Sequence, residues 1–337
     1  MSKQLNEINI LRPIIIVLLV FYHSFIIYSN GWPKVEGIDD FVVYQWIAKI
    51  SYACMLETFT FVSGYLFGHA IYNGKKYTFN ELLKKKFKRL IIPSIVFTIL
   101  YSFLFYDKAY FSFEYVYDIF NGLGHMWYLP MLFWCFLAAY AILNIRIRES
   151  YKLTFLFFLS IFSFIPLPFR MQSSCYYLFF FYLGIFVYNK NMKLEVKCKS
   201  LLLFGLSTIL IFVTLTLIQK KIYEIQALNL FQKAFNLSLL NLTKITYATL
   251  GLFFLYFISK KISSICIISS NLIEINKLCF GVYLIQQFLL KIFYYKTSLP
   301  LACGTYLLPW VGFVITLLLS FILASILKRT RFGNSLI

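Results

Sequence analysis

The sequence predicts an all-α, polytopic transmembrane bundle of about ten helices. Three observations carry that expectation. Of the 337 residues, 61% are hydrophobic and 13% are charged, about half the charged fraction of a soluble domain, and the mean hydropathy is +0.76. Apolar stretches approaching bilayer-spanning length recur along the whole chain. They are continuous rather than alternating, and in lipid only helices or closed barrels pair every backbone amide, so helices are expected. Finally, Lys and Arg are segregated. With the N-terminus inside, most of the 32 Lys and Arg fall in inner segments, while the outer loops carry Glu36, Asp39, Asp40, Asp107, Glu114, Asp118 and Glu224. That asymmetry places both termini in the cytoplasm. It also accounts for the net charge of +19 as orientation and contact with lipid headgroups, not nucleic-acid binding.

The expected spans lie at about 8–28, 47–70, 90–106, 126–145, 152–167, 175–188, 201–218, 240–258, 278–295 and 305–327. No small-x-small cleavage site follows the first, which reads as a retained helix and not a signal peptide. Span 1, LRPIIIVLLVFYHSF from residue 11, is bracketed by Arg12 and His23. Eleven positions are about three helical turns, so both side chains leave nearly the same face with a rise of roughly 16 Å between them. The loop at about 29–46 is turn-rich and acidic. Span 2 carries Glu57 and the tripeptide SGY at 63–65, whose glycine permits close approach of another backbone. The inner connection 71–89 places Leu82, Leu83, Phe87 and Leu90 at helical spacing among lysines, which predicts an amphipathic surface helix. Pro93 and Pro130 sit in the first turns of spans 3 and 4, where proline is tolerated.

No internal repeat, low-complexity tract or soluble domain is evident, so residues 1–337 read as one integral membrane domain. The seven cysteines (Cys54, Cys135, Cys175, Cys198, Cys266, Cys279, Cys303) are scattered without a CxxC, which argues against metal ligation and a disulfide framework.

Ionisable residues inside spans are costly and mark candidate sites. His23 is either hydrogen-bonded to a neighbouring helix or a base titrating near neutral pH. Arg12 either snorkels to headgroups or forks onto a phosphate-bearing ligand. Glu57, near the middle of span 2, requires a partner, for which Arg12, His23, Lys49 or a ligand are available. The cluster Lys84, Lys85, Lys86, Lys88 and Arg89 is an orientation signal or a phosphate clamp. His125, Trp127 and Tyr128 are read by default as interfacial belt residues, and Lys244 and Lys291 as snorkelling ones.

Four stretches, in order, resemble the membrane-bound acyltransferase 3 family, the integral membrane O-acyltransferases of bacteria. They are INILRPIIIVLLVFYHS with its Arg, ten residues, His spacing; FTFVSGYLFG; KFKRLIIPS; and GHMWYLPML. A weaker fifth, FGVYLIQQF, resembles a later segment. Together they cover nearly the whole chain. Three positions depart from the family pattern: Asn9 stands where an Asp is usual, Pro13 where a Gly is usual, and Gln286 where a late His is common. The resemblance implies transfer of an acyl group, most often acetyl from acetyl-CoA, onto a hydroxyl of a cell-envelope polysaccharide or its lipid-linked precursor at the inner membrane. Acyl-CoA is then a co-substrate, no cofactor is bound permanently, and polysaccharide-biosynthesis machinery is a partner.

On that reading Arg12, Lys86 and Arg89 bind the acyl-CoA phosphates. His23 deprotonates the acceptor hydroxyl or takes the acyl group itself. Glu57 orients the imidazole, and His125, Trp127 and Tyr128 hold the sugar. Two other classes compete. A transporter or flippase for a lipid-linked glycan or small polar metabolite would use a buried His and Glu for proton coupling, although no matching halves are evident. A membrane sensor or scaffold would use polar residues only for helix association.

Overall fold

The computed structural model describes residues 5–106, 113–190, 197–225, 229–265 and 269–336. Asp107 and Cys266, named above, lie outside the described residues. No strand occurs among the described residues. In chain order the helices are α1 (Asn6–Phe25), α2 (Val42–Tyr52), α3 (Met55–Tyr72), α4 (Phe79–Lys86), α5 (Ile92–Phe105), α6 (Phe113–Asn121) and α7 (Tyr128–Leu143). They continue with α8 (Glu149–Ile161), α9 (Met171–Lys190), α10 (Cys198–Glu224), α11 (Leu230–Ile265), α12 (Ser270–Tyr295), α13 (Leu299–Arg329) and α14 (Arg331–Leu336).

Among the described residues, seven helical stretches are long and apolar enough to cross a membrane: Asn6–Ser29, Phe79–Phe105, Gly124–Leu143, Cys198–Glu224, Leu230–Ile265, Ser270–Tyr295 and Leu299–Arg329. The chain is a multi-pass membrane protein. The other expected spans fall on α3, α8 and α9, of 18, 13 and 20 residues, which are shorter or more polar. The stretch expected as one helix over 47–70 is two, with a turn at Ala53 and Cys54 between α2 and α3.

The expected surface helix at 71–89 is also drawn differently. Thr78 caps α4 reciprocally with Glu81: its hydroxyl accepts from the Glu81 N–H while its own N–H donates to the Glu81 carboxylate. Leu82 and Leu90 are buried, but Phe87 is 43% exposed. The helix does not stop. A π-turn over Phe87–Ile91 joins it to α5, with the Ile92 N–H donating to the Phe87 carbonyl five residues back. Pro93 has no N–H to give the Arg89 carbonyl four residues back, and its ring crowds that oxygen, so the backbone widens just before it. The result is one 27-residue rod, about 40 Å long. It exceeds the hydrocarbon thickness, and the lysines of α4 form its basic end.

The structure resolves into two compact units, Met1–Met55 with Phe253–Ile337, and Leu56–Leu252. In the first, Phe25, Ile27, Tyr28, Tyr44, Leu290 and Tyr294 belong to one buried cluster. Near its start α13 is broken at Gly304 (φ 65°). Pro309 cannot donate to the Thr305 carbonyl four residues earlier, and the Tyr28 hydroxyl donates to that oxygen instead, at 2.6 Å.

In the second unit, α3 and α9 touch backbone to backbone. A Cβ on Gly64 would lie 1.8 Å from the Phe181 carbonyl oxygen, and one on Gly184 would lie 2.1 Å from that of Phe61. The glycine of SGY makes the close approach that its span position suggests. Hydroxyls then join α9 to its neighbours, Ser174 donating to the Met131 carbonyl of α7 and Ser160 of α8 to that of Tyr176.

Candidate functional site

Arg12 and His23 belong to the first unit and both meet α12. Arg12 Nη1 lies 3.5 Å from Asn276 Oδ1, and Asn276 Nδ2 donates to Asn9 Oδ1 at 2.7 Å. His23 is 6% exposed, and its Nε2 lies 3.5 Å from the Gln287 amide nitrogen. In both pairs the partners differ by 264 positions. A constant offset means that α1 and α12 run in the same direction, with Asn276 and Gln287 repeating the eleven-residue interval of Arg12 and His23. Asn9 thus enters the network through its amide oxygen, as an acceptor. On the other side of His23, the Trp32 ring stacks on the imidazole at 5.7 Å with 14° between the planes.

The remaining candidates belong to the second unit. Glu57 is 8% exposed. The Tyr176 hydroxyl donates to its Oε1 at 3.1 Å, and the ammonium of Lys244 is close enough to interact with its charge. The sequence offered Arg12, His23, Lys49 or a ligand as the partner of Glu57; within this unit the structure bonds Tyr176 to it and brings Lys244, read above as snorkelling, within electrostatic reach. One turn on from Glu57, Thr60 Oγ1 shares a 3.1 Å hydrogen bond with the Tyr128 hydroxyl. Tyr128 is also within electrostatic reach of Glu57. The Trp127 and Tyr177 rings lie 6.0 Å apart, and Tyr177 packs against Tyr176. The structure therefore brings Glu57, Trp127 and Tyr128 into one neighbourhood of hydroxyls and rings.

His125 precedes Trp127 by two residues on the same turn. It is buried, with its ring edge-on to Tyr101 at 6.2 Å. Neither His125 nor Tyr128 is an exposed belt residue, since each is only 6% exposed. The short 3-10 turn Gly124–Trp127 that presents them follows Gly122 (φ 74°), where a Cβ would sit 2.6 Å from the Met126 backbone. Arg170 pins this turn. It donates to the carbonyls of Asn121 (2.9 Å) and Gly122 (3.3 Å), and its guanidinium lies 5.9 Å from the Trp127 ring centre. Burial pulls that guanidinium below its ordinary range, and nearby Tyr117 and Asp118 pull it back. Phe169 and Arg170 both adopt left-handed backbone (φ 49° and 62°), a cost of order 1–3 kcal/mol each that packing has to offset.

Of the expected phosphate clamp, Arg89 is exposed on the π-turn. Lys86 is turned inward, its Nζ 3.2 Å from the Phe136 ring centre. The two cations are close enough to repel, an arrangement that an anion relieves.

A family model described as "Acyltransferase domain" matches residues 5–329. The chain belongs to the acyltransferase 3 family. No curated protein and no solved structure matches it. This acyltransferase uses residues around its candidates that its sequence did not single out: Trp32, Arg170, Tyr176, Asn276 and Gln287. Only the α12 pair left a sequence signal, an Asn and a Gln at the interval already noted between Arg12 and His23.

Proposed function

We propose that the chain is an acetyl-CoA-dependent O-acetyltransferase of the inner membrane. It crosses the bilayer about ten times with both termini in the cytoplasm, and acylates a hydroxyl of a cell-envelope polysaccharide or its lipid-linked precursor. The observation that carries this reading is the matched register of α1 and α12, which turns a cation and an imidazole from one helix toward a single polar track.

In the first unit, Arg12 offers its guanidinium fork to a phosphate of the CoA. His23 accepts the proton of the acceptor hydroxyl as that oxygen attacks the thioester carbon. The C–S bond then breaks, and the imidazolium returns its proton to the thiolate, giving an ester and free CoA. Lys86 and Arg89, which belong to the second unit, are cations whose repulsion a phosphate of the acyl-CoA would relieve. In the second unit, Glu57, Tyr128 and Trp127 offer a carboxylate, a hydroxyl and a ring face, a set suited to a sugar, with His125 supporting the turn that carries the last two.

The test is purified protein carrying His23→Ala or Arg12→Ala, matched in folding to wild type. His23→Ala is expected to lower acetyl transfer by about 100-fold or more, and Arg12→Ala to raise the KM for acetyl-CoA. Wild-type turnover in both variants overturns the mechanism.

A further inference from the structure

One side chain of the loop that follows α1 covers a face of His23. After α1 the chain passes through the 3-10 turn Ile26–Ser29 and reverses at Asn30 (φ 59°). It then returns Trp32 over the imidazole in the stack described above. Residues of α12 hold the indole there. Lys291 Nζ lies 5.3 Å from the Trp32 ring centre. Tyr294 meets the ring nearly edge-on at 6.4 Å. The Tyr295 ring is also at 6.4 Å, and its hydroxyl donates at 2.7 Å to the carbonyl of Pro33, the next residue in the chain. Lys291, Tyr294 and Tyr295 follow Gln287 at helical intervals, so they lie on or beside the face of α12 that meets His23. Trp32 is itself only half-buried, whereas His23 is almost fully covered.

A base that activates a hydroxyl also activates water. If water reaches His23 beside a bound thioester, its oxygen bonds to the acyl carbon, the C–S bond breaks, and the proton held by the imidazole passes to the thiolate. Acetate and free CoA result, and the acyl group is wasted. Productive transfer has the same flow of electrons, so it depends on excluding water from the imidazole. We propose that Trp32 is the positioning residue that does this: stacked on His23, it fixes the ring plane and keeps water away, so that acetyl-CoA is not hydrolysed before an acceptor arrives. This inference rests on the acyl-transfer reading above.

The experiment measures release of CoA thiol from acetyl-CoA by the purified full-length protein in detergent, with no acceptor added. Trp32→Ala is expected to release thiol about tenfold faster than wild type, a barrier change of ~1.4 kcal/mol. Trp32→Phe, which keeps a ring, should stay within about twofold, and Lys291→Met, which frees the indole, should fall between them. Adding His23→Ala to Trp32→Ala should abolish the gain. Loss of fold alone lowers activity and produces no gain that depends on His23. Thiol release at or below wild type in both Trp32→Ala and Lys291→Met overturns the proposal, as does a gain that survives His23→Ala. Parallel assays with membranes from the same cells as acceptor separate the two readings. Equal acetyl-CoA consumption by wild type and His23→Ala removes the acyl-transfer reading and the shield with it. Unequal consumption without a leak in Trp32→Ala or Lys291→Met removes only the shield.

Discussion

A guanidinium and an imidazole in an apolar helix each need polar company, because leaving such a group unsatisfied in hydrocarbon is expensive. On α1 each meets an amide of α12, Arg12 at Asn276 and His23 at Gln287. Amides suit the task because they carry no charge, so they orient a cation or a base without neutralising it. Asn276→Leu removes an acceptor from Arg12 and a donor to Asn9. A lost hydrogen bond of about 1 kcal/mol predicts a KM for acetyl-CoA raised about fivefold with kcat little changed, read from steady-state kinetics. Glu57→Gln is a different case. Its side-chain oxygen can still accept from Tyr176, so thermal stability should hold while acetyl transfer falls. Unchanged transfer would show that the charge is idle.

Between elements, the tightest constraint is the crossing of α3 and α9. Gly64 and Gly184 face backbone oxygens at distances no Cβ can occupy, whereas a Cβ on Gly68 would lie 3.1 Å from the Ile185 Cα, a contact that a small shift relieves. Gly64→Ala is therefore expected to lower the melting temperature in detergent sharply, by overpacking that costs upward of about 3 kcal/mol. Gly68→Ala should cost well under half as much. Similar losses at both positions would mean that the crossing is not the rigid contact described. The π-turn is a second such feature. It follows from Pro93 and carries Arg89, so the proline is part of how this acyltransferase presents that cation.

At the scale of the whole molecule, charge and apolar surface do separate jobs. In Cys198–Glu224 only 17% of the most apolar window is buried, and in Leu299–Arg329 only 22%. Such faces are stable against lipid, where exposed apolar surface has no cost. For the C-terminal end, with Lys328, Arg329 and Arg331, the positive-inside rule predicts the cytoplasmic side. A fluorescent protein fused after Ile337 should accordingly fluoresce in intact cells, and an alkaline phosphatase fused at the same point should be inactive. The reverse pattern would invert the topology.

Periodicity and composition are local properties, and the sequence by itself determined what depends on them. It settled the helical class, the membrane, the shared face of Arg12 and His23, the close-approach glycine at 64, and the family that these motifs resemble. Tertiary structure decided what depends on residues far apart in the chain. Asn276 and Gln287 lie 264 positions from their partners, and Tyr176 lies 119 from Glu57, so no local pattern could pair them. Even nearby features were decided there when two local signals competed. Leu82, Leu83, Phe87 and Leu90 among the lysines predicted a separate surface helix, but the backbone runs on through Pro93, because a π-turn just before the proline accommodates its missing N–H and its ring.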